Sequence, residues 1–385
     1  MPDRVYLDWN ATTPLRPEAR QAMAAAWEVA GNPSSVHAEG RQARRLVEDA
    51  RAAVAAAAGA RPQDVVFTSG GTEANALALM PGLRRGAGEP VRRLLVSAIE
   101  HTSVLSGGRF SPETIATIAI TGSGLVDVDH LRGLLADGPP ALVSVMLANN
   151  ETGALQPVGE VADIVHEAGG LLHVDAIQAF GKIPFDIKSM KADLVTLSAH
   201  KLGGPKGVGA LVLADEAQGL EPLLRGGGQE LGRRAGTENV AGIAAFGAAV
   251  RVSMAALQGD AARLQALRER LEKGLQQTPG MIVFSEGTPR LPNTTLFTVP
   301  GLKAETAVIG FDLGGIAVSS GSACSSGKVQ PSHVLAAMGV GRELAQGAVR
   351  LSLGWSTTED DVDLTLQAWR KLANTLLKAE RRNTA

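Results

Sequence analysis

Five short apolar runs rich in branched residues, at 64–68, 94–97, 141–147, 171–175 and 193–197, each stop on or beside a polar residue, and the segments between them read mostly as helices. Strands buried on both faces read as continuous apolar runs. Their alternation with helices points to an α/β doubly wound sheet, where ligands gather beyond the carboxyl ends of the strands. The polar groups at those five ends are therefore the first place to look for chemistry.

The run at 193–197 leads into Ser198-Ala199-His200-Lys201, ahead of the turn Gly203-Gly204-Pro205-Lys206-Gly207 and a further strand at 208–213. An ordinary lysine has a pKa near 10.4 and stays in solvent, so Lys201 either caps a strand or has a chemical reason to sit at a buried edge. An imine with an aldehyde cofactor is such a reason. The run at 171–175 ends on Asp175, with Gln178 three residues on. Pyridoxal phosphate needs a carboxylate at its ring nitrogen and a lysine at its aldehyde carbon, and two strand ends here provide both.

Val174-Asp175-Ala176-Ile177-Gln178 and Ser198-Ala199-His200-Lys201 resemble the pyridoxal phosphate motifs of class V aminotransferases, in particular cysteine desulfurases of the NifS/IscS type. The similarity runs from Tyr6-Leu7-Asp8 to Arg350-Leu351-Ser352. It implies the α/β fold of a fold-type I pyridoxal phosphate-dependent transferase. A large domain, 15–255, would hold a mostly parallel seven-stranded sheet. A smaller α+β domain, 1–14 with 256–385, would carry the catalytic cysteine loop at about 319–331.

The resemblance also implies roles. Lys201 forms the Schiff base with pyridoxal 5'-phosphate, Asp175 meets the ring nitrogen, and Gly71, Thr72, Ser198 and His200 hold the phosphate. His101 stacks on the ring and moves protons. Gln178 bonds the phenolic oxygen, with Asn149 near that oxygen and the substrate. Arg350 clamps the substrate carboxylate, and Asn10 belongs to the substrate side. Thr237 reaches the cofactor phosphate of a partner subunit, which makes the protein a homodimer. Trp9 stands where the family usually carries a second asparagine.

Read without the family, these residues allow plainer roles. Ser69-Gly70-Gly71-Thr72-Glu73 between a strand and a helix makes an anion site from free N–H groups and the helix dipole, although many α/β folds use such a turn for geometry only. His101 could be a structural hydrogen-bonder, and Arg350 a surface ion pair whose planar fork would equally suit a carboxylate. Cys324, the one cysteine, excludes a disulfide framework and a multi-cysteine metal site. A free cysteine is usually buried and inert, whereas the stretch from Ser319 to Gly327 is Ser and Gly around the thiol and reads as an accessible loop.

Apolar residues make up 45% of the 385 and aromatics 3%, so the core must be built from Ala, Leu, Val and Ile. A net charge of −2 with scattered basic residues gives no footprint for nucleic acid. No apolar run is read as approaching the ~18 residues of a membrane span, and no signal-peptide core follows Met1, so the expected setting is cytoplasmic. The expected activity is removal of sulfur from L-cysteine, giving L-alanine and a persulfide on Cys324. That sulfur would feed an acceptor such as an iron–sulfur scaffold protein or tRNA thiolation. Selenocysteine lysis, another class V reaction such as transamination, and a non-catalytic scaffold are the alternatives.

Overall fold

The computed structural model describes residues 4–215, 217–321 and 332–383. Seven strands form one sheet in the order Val65–Thr68, Gly209–Leu213, Leu194–Ser198, Leu171–Asp175, Ala141–Met146, Arg93–Ser97, Ile115–Ile118. Only Gly209–Leu213 is antiparallel to its neighbours. All other adjacent pairs are parallel, so six strands end at one edge. Alternate residues divide between two apolar clusters: Phe67, Val143, Val174 and Val195 lie in one, Val66, Leu142, Leu171 and Leu194 in the other. This period of two buries both faces.

The long helix Val240–Leu275 packs on Pro17–Trp27 and Ala38–Ala58. Against the sequence expectation, its length and composition would allow it to cross a membrane. Its first turns are instead buried inside the protein, from Ala241 through Val250. Small residues let the helices touch: a Cβ added at Gly247 would lie 2.6 Å from Ala50 Cα. That close approach is how a chain poor in aromatics fills its core.

A second core joins the two ends of the chain. Val5 and Leu7 pack with Leu267, Leu271, Phe297 and Trp369. The strands here run in the order Ile282–Val283, Thr294–Thr298, Val349–Ser352, Ser319–Ser320, each antiparallel to the next. Val5–Tyr6 pairs in parallel with Ile316–Ala317. A division into 15–255 on one side and 1–14 with 256–385 on the other remains our proposal, supported by these separate cores. Trp9 sits between them, 3% exposed. Its indole donates to Tyr6 O at 2.8 Å and meets Trp355 edge-on at 5.8 Å. The ring lies so close over Gly354 that a Cβ there would be 1.8 Å from it.

Candidate active site

Asp175 ends one strand and lies in register with Thr196 of the next, which runs into the 3-10 turn Ala199–Lys201. Asp175 is 5% exposed. Its Oδ1 accepts from Ile177 N at 3.0 Å and its Oδ2 from Asn75 Nδ2 at 3.0 Å. Burial raises its pKa, while those bonds and the nearby His101 and Lys201 oppose the rise. The Lys201 ammonium is held down to about 8, first by burial and then by Arg350. Its Nζ donates to Asn10 O at 2.6 Å and Ala11 O at 2.8 Å.

A cavity of about 220 Å³ opens at this edge, and Thr72, His101, Asn150, Asp175, Gln178 and Lys201 are in its wall. It adjoins a more open space at the turn after Val65–Thr68, sharing Gly71, Thr72, Ser198 and His200 and adding Lys206. The N-terminus of the helix Gly71–Ala78 there suits an anion. A Cβ at Gly71 would fall 2.3 Å from Ile177 Cδ1, and one at Gly209 would fall 2.5 Å from the Gly70 carbonyl carbon, so glycine at both positions keeps this cradle open. His200 is pushed down to about 4 by burial and by Lys201, Lys206 and Lys182, so it is neutral. Its Nδ1 lies 3.1 Å from Thr12 Oγ1. His101 caps the helix Thr102–Leu105, its Nδ1 accepting from Ser103 N at 3.2 Å, which assigns the ring proton to Nε2. Burial lowers its pKa.

Three expected residues stand elsewhere. Asn149 is fully buried and does not face the cavity. Its Oδ1 accepts from Glu151 N and Thr152 N, both at 2.9 Å, and its Nδ2 donates to Ile99 O at 3.2 Å, so it shapes the turn that presents Asn150. The turn consumes the first asparagine and leaves its neighbour Asn150 in the wall. Asn10 is likewise buried, its side chain turned away into a polar cluster. Its Nδ2 donates to Thr294 Oγ1 at 2.8 Å, and only its carbonyl meets Lys201. Thr237 is exposed, outside the cavity wall, on a loop tied down where Arg234 Nε meets Glu73 Oε1 at 2.9 Å. Cys324 lies outside the described residues.

The residues flanking that segment meet groups around the cavity. Ser319 pairs with Arg350 across the strands. Ser332 Oγ donates to Glu151 Oε2, and His333 Nε2 lies 2.9 Å from Glu100 O. Arg350 is 6% exposed; its terminal nitrogens donate to Asp8 Oδ1 at 2.8 Å and Asn150 O at 3.0 Å. It is a buried pair, where a surface one was the plainer expectation. Arg350 Nε is buried with no hydrogen-bond partner among the described residues.

Sequence reasoning missed Asn75, Lys182, Glu100 and Glu151. Asn75 sits mid-helix in an otherwise apolar stretch, an unfavourable place for asparagine that could have marked it. Burial raises Glu100 to about 8 and Glu151 to about 7, so Glu100 is protonated at neutral pH and adds no charge beside His101. A cavity of about 380 Å³ between Arg61 and Lys188 lies at the opposite edge of the sheet, where Asp193 is already paired with His166 at 2.8 Å.

A mostly parallel sheet with an aspartate and a lysine on adjacent strand ends defines a class of pyridoxal phosphate enzymes. Residues 5–365 match the sequence profile of "Aminotransferase class-V". The chain belongs to this family and, within it, to the pyridoxal phosphate-dependent cysteine desulfurases. It is 44% identical over 373 residues to a cysteine desulfurase of Cereibacter sphaeroides, covering 95% of this chain and 94% of that one. To the IscS-like cysteine desulfurase of Mycobacterium tuberculosis it is 40% identical over 371 residues, covering 94% of each. The X-ray structure of a NifS-like protein from Rickettsia africae superposes with a TM-score of 0.88 at 38% identity, covering 97% of this chain and 100% of that one.

Proposed function

We propose that the protein takes sulfur from L-cysteine, releases L-alanine and holds the sulfur as a persulfide on Cys324. The observation that carries this is the low-pKa Lys201 amine beside the buried Asp175 carboxylate, in a chain with one cysteine. The residues present fit pyridoxal phosphate. Asp175, oriented by Asn75, suits a ring N–H, Lys201 an aldehyde, and the cradle at Gly71 and Thr72 a phosphate. When bound, the cofactor supplies an electron-withdrawing ring that makes the substrate sulfur a leaving group.

The chain's own groups do the rest. Arg350 binds the substrate carboxylate with its guanidinium, which orients the α-carbon toward Lys201. A lysine with a pKa of about 8 is partly amine at neutral pH and so can take the α-proton, where an ordinary one would be almost wholly charged. His101 presents Nε2–H to the cavity and donates a hydrogen bond to the substrate sulfur. Cys324 then takes the sulfur: one C–S bond breaks, one S–S bond forms, and the carbon is protonated, so the balance needs no outside oxidant or reductant. A cytoplasmic setting fits a reaction that runs through one reduced thiol.

The sulfur passes from Cys324 to an acceptor such as an iron–sulfur scaffold protein or the enzymes of tRNA thiolation. The test is intact mass after brief exposure to L-cysteine without reductant. Wild type should gain one sulfur atom and release alanine, and Cys324→Ala should gain none. Absence of the gain on cofactor-loaded wild type would remove the persulfide reading.

A further inference from the structure

Four residues after Gln178 the chain carries a second lysine, Lys182, which the mechanism above does not use. Its Nζ donates to Gln178 Oε1 at 2.8 Å and to Asn10 Oδ1 at 3.0 Å. Those two acceptors match the two N–H groups of an uncharged amine. Burial drives Lys182 well below the usual lysine range, and Lys201 and Arg350 add to the effect. Of the other titratable groups around it, His200 is neutral and Asp8 is paired with Arg350.

Backbone carbonyls fix the sense of this network. Asn150 O accepts from Asn10 Nδ2 at 3.2 Å, so Asn10 must turn Oδ1 toward Lys182. Asn10 O accepts from Gln178 Nε2 at 2.9 Å, so Gln178 must turn Oε1 toward Lys182. One proton of Nε2 is thereby taken, and the other is left for the cavity that Gln178 lines.

We propose that Lys182 is a positioning residue that locks the Gln178 amide with its N–H toward the cavity, so that the phenolic oxygen of the bound cofactor always meets a donor. The proposal rests on the reading that Gln178 adjoins that oxygen. Without Lys182 the amide is held only by Asn10 O, and an amide that turns over presents Oε1, replacing attraction by repulsion between lone pairs. A donor on the phenolate weakens its hold on the proton of the neighbouring Lys201 nitrogen, which lowers the pH at which that proton leaves. The network thus tunes Lys201 through a residue that never touches it.

The test is the pH midpoint of the visible absorbance change in cofactor-loaded enzyme, measured for wild type, Gln178→Leu, Lys182→Met and the double variant. Each single substitution should raise the midpoint by about one pH unit, the scale of one hydrogen bond to an anion. The double variant should shift no further than Gln178→Leu alone. A Lys182→Met shift that persists in full in the Gln178→Leu background would overturn the proposal, since the effect would then not pass through Gln178. So would a shift from Gln178→Leu with none from Lys182→Met. No shift from Gln178→Leu would remove the reading of Gln178 and the proposal with it. Lys182→Leu is read in the same way if Lys182→Met does not accumulate.

Discussion

Asn75 Nδ2 donates to Asp175 Oδ2 at 3.0 Å, while Asn75 Oδ1 accepts from Thr196 Oγ1 at 2.6 Å. The helix that begins at the anion cradle therefore also aims the carboxylate at the far end of the cavity. Both ends of the cofactor site hang on one eight-residue helix, Gly71–Ala78. Asn75→Leu keeps the volume and removes the bonds. Losing one hydrogen bond to a carboxylate is worth about 1.5 kcal/mol, or roughly tenfold in affinity. Pyridoxal phosphate binding, followed by equilibrium dialysis, should weaken by at least that factor, and unchanged affinity would refute the role.

Lys201 carries a stability signature. Its pKa falls from 10.5 to about 8 on folding, so the native state binds fewer protons than the unfolded chain between those values, and stability rises with pH across that window. Below pH 8 the buried ammonium is a fixed burden. Lys201→Met in cofactor-free protein should melt higher than wild type at pH 7, and the gap should narrow as the pH rises from 8 to 10.5. A gap independent of pH would contradict the assignment.

Glu100 works in the opposite sense. Its pKa is raised from 4.5 to about 8, so the native state holds a proton that the unfolded chain loses, and stability falls as pH rises through that range. Glu100→Gln keeps an acceptor for Met146 N, which donates to Oε1 at 2.8 Å, and removes the charge. Denaturant midpoints should show the variant gaining on wild type between pH 5 and pH 8.

Arg350→Lys replaces a fork by a point charge that cannot reach Asp8, Asn150 O and a substrate carboxylate together. Initial rates should show KM for L-cysteine rising by about tenfold to a hundredfold, the loss of 1.4–2.7 kcal/mol of uniform binding, with a smaller change in kcat. Equal losses in kcat and kcat/KM, with KM unchanged, would place Arg350 in the chemical step instead.

Thr237 is exposed and lies outside the wall of its own chain's cavity. A partner subunit should complete the phosphate site, and the loaded enzyme should sediment as two chains. A monomer with full turnover would exclude that arrangement.

The strand ends were legible because a sheet buried on both faces writes itself as apolar runs, and Lys201, Asp175 and Gln178 follow directly from where those runs stop. Polar residues that act through other polar residues left no such mark. Asn149 and Asn150 differ by one position, and only the geometry of the turn decides which is consumed by backbone N–H groups and which is left facing the cavity. The side-chain partners of Asn10 left no mark for a similar reason: Thr294, Asn293 and Lys182 come from distant parts of the chain, and no local pattern announces them. That the helix Val240–Leu275 is apolar enough to cross a membrane escaped notice because its alanines and glycines look unremarkable until the close approach to Ala50 is seen.

Asp8 and Arg350 lie 342 positions apart in the chain, and their pair joins a strand at the start of the protein to one near its end. Lys201 leaves the ribosome 149 residues before Arg350, which at ~5–20 residues per second is an interval of about 7 to 30 s. Throughout that interval the amine has no Arg350 beside it to depress its pKa. The full depression of the Lys201 pKa therefore waits on the synthesis of Arg350: a chain interrupted before residue 350 lacks that contribution, and only burial, the larger cause, can act on the amine.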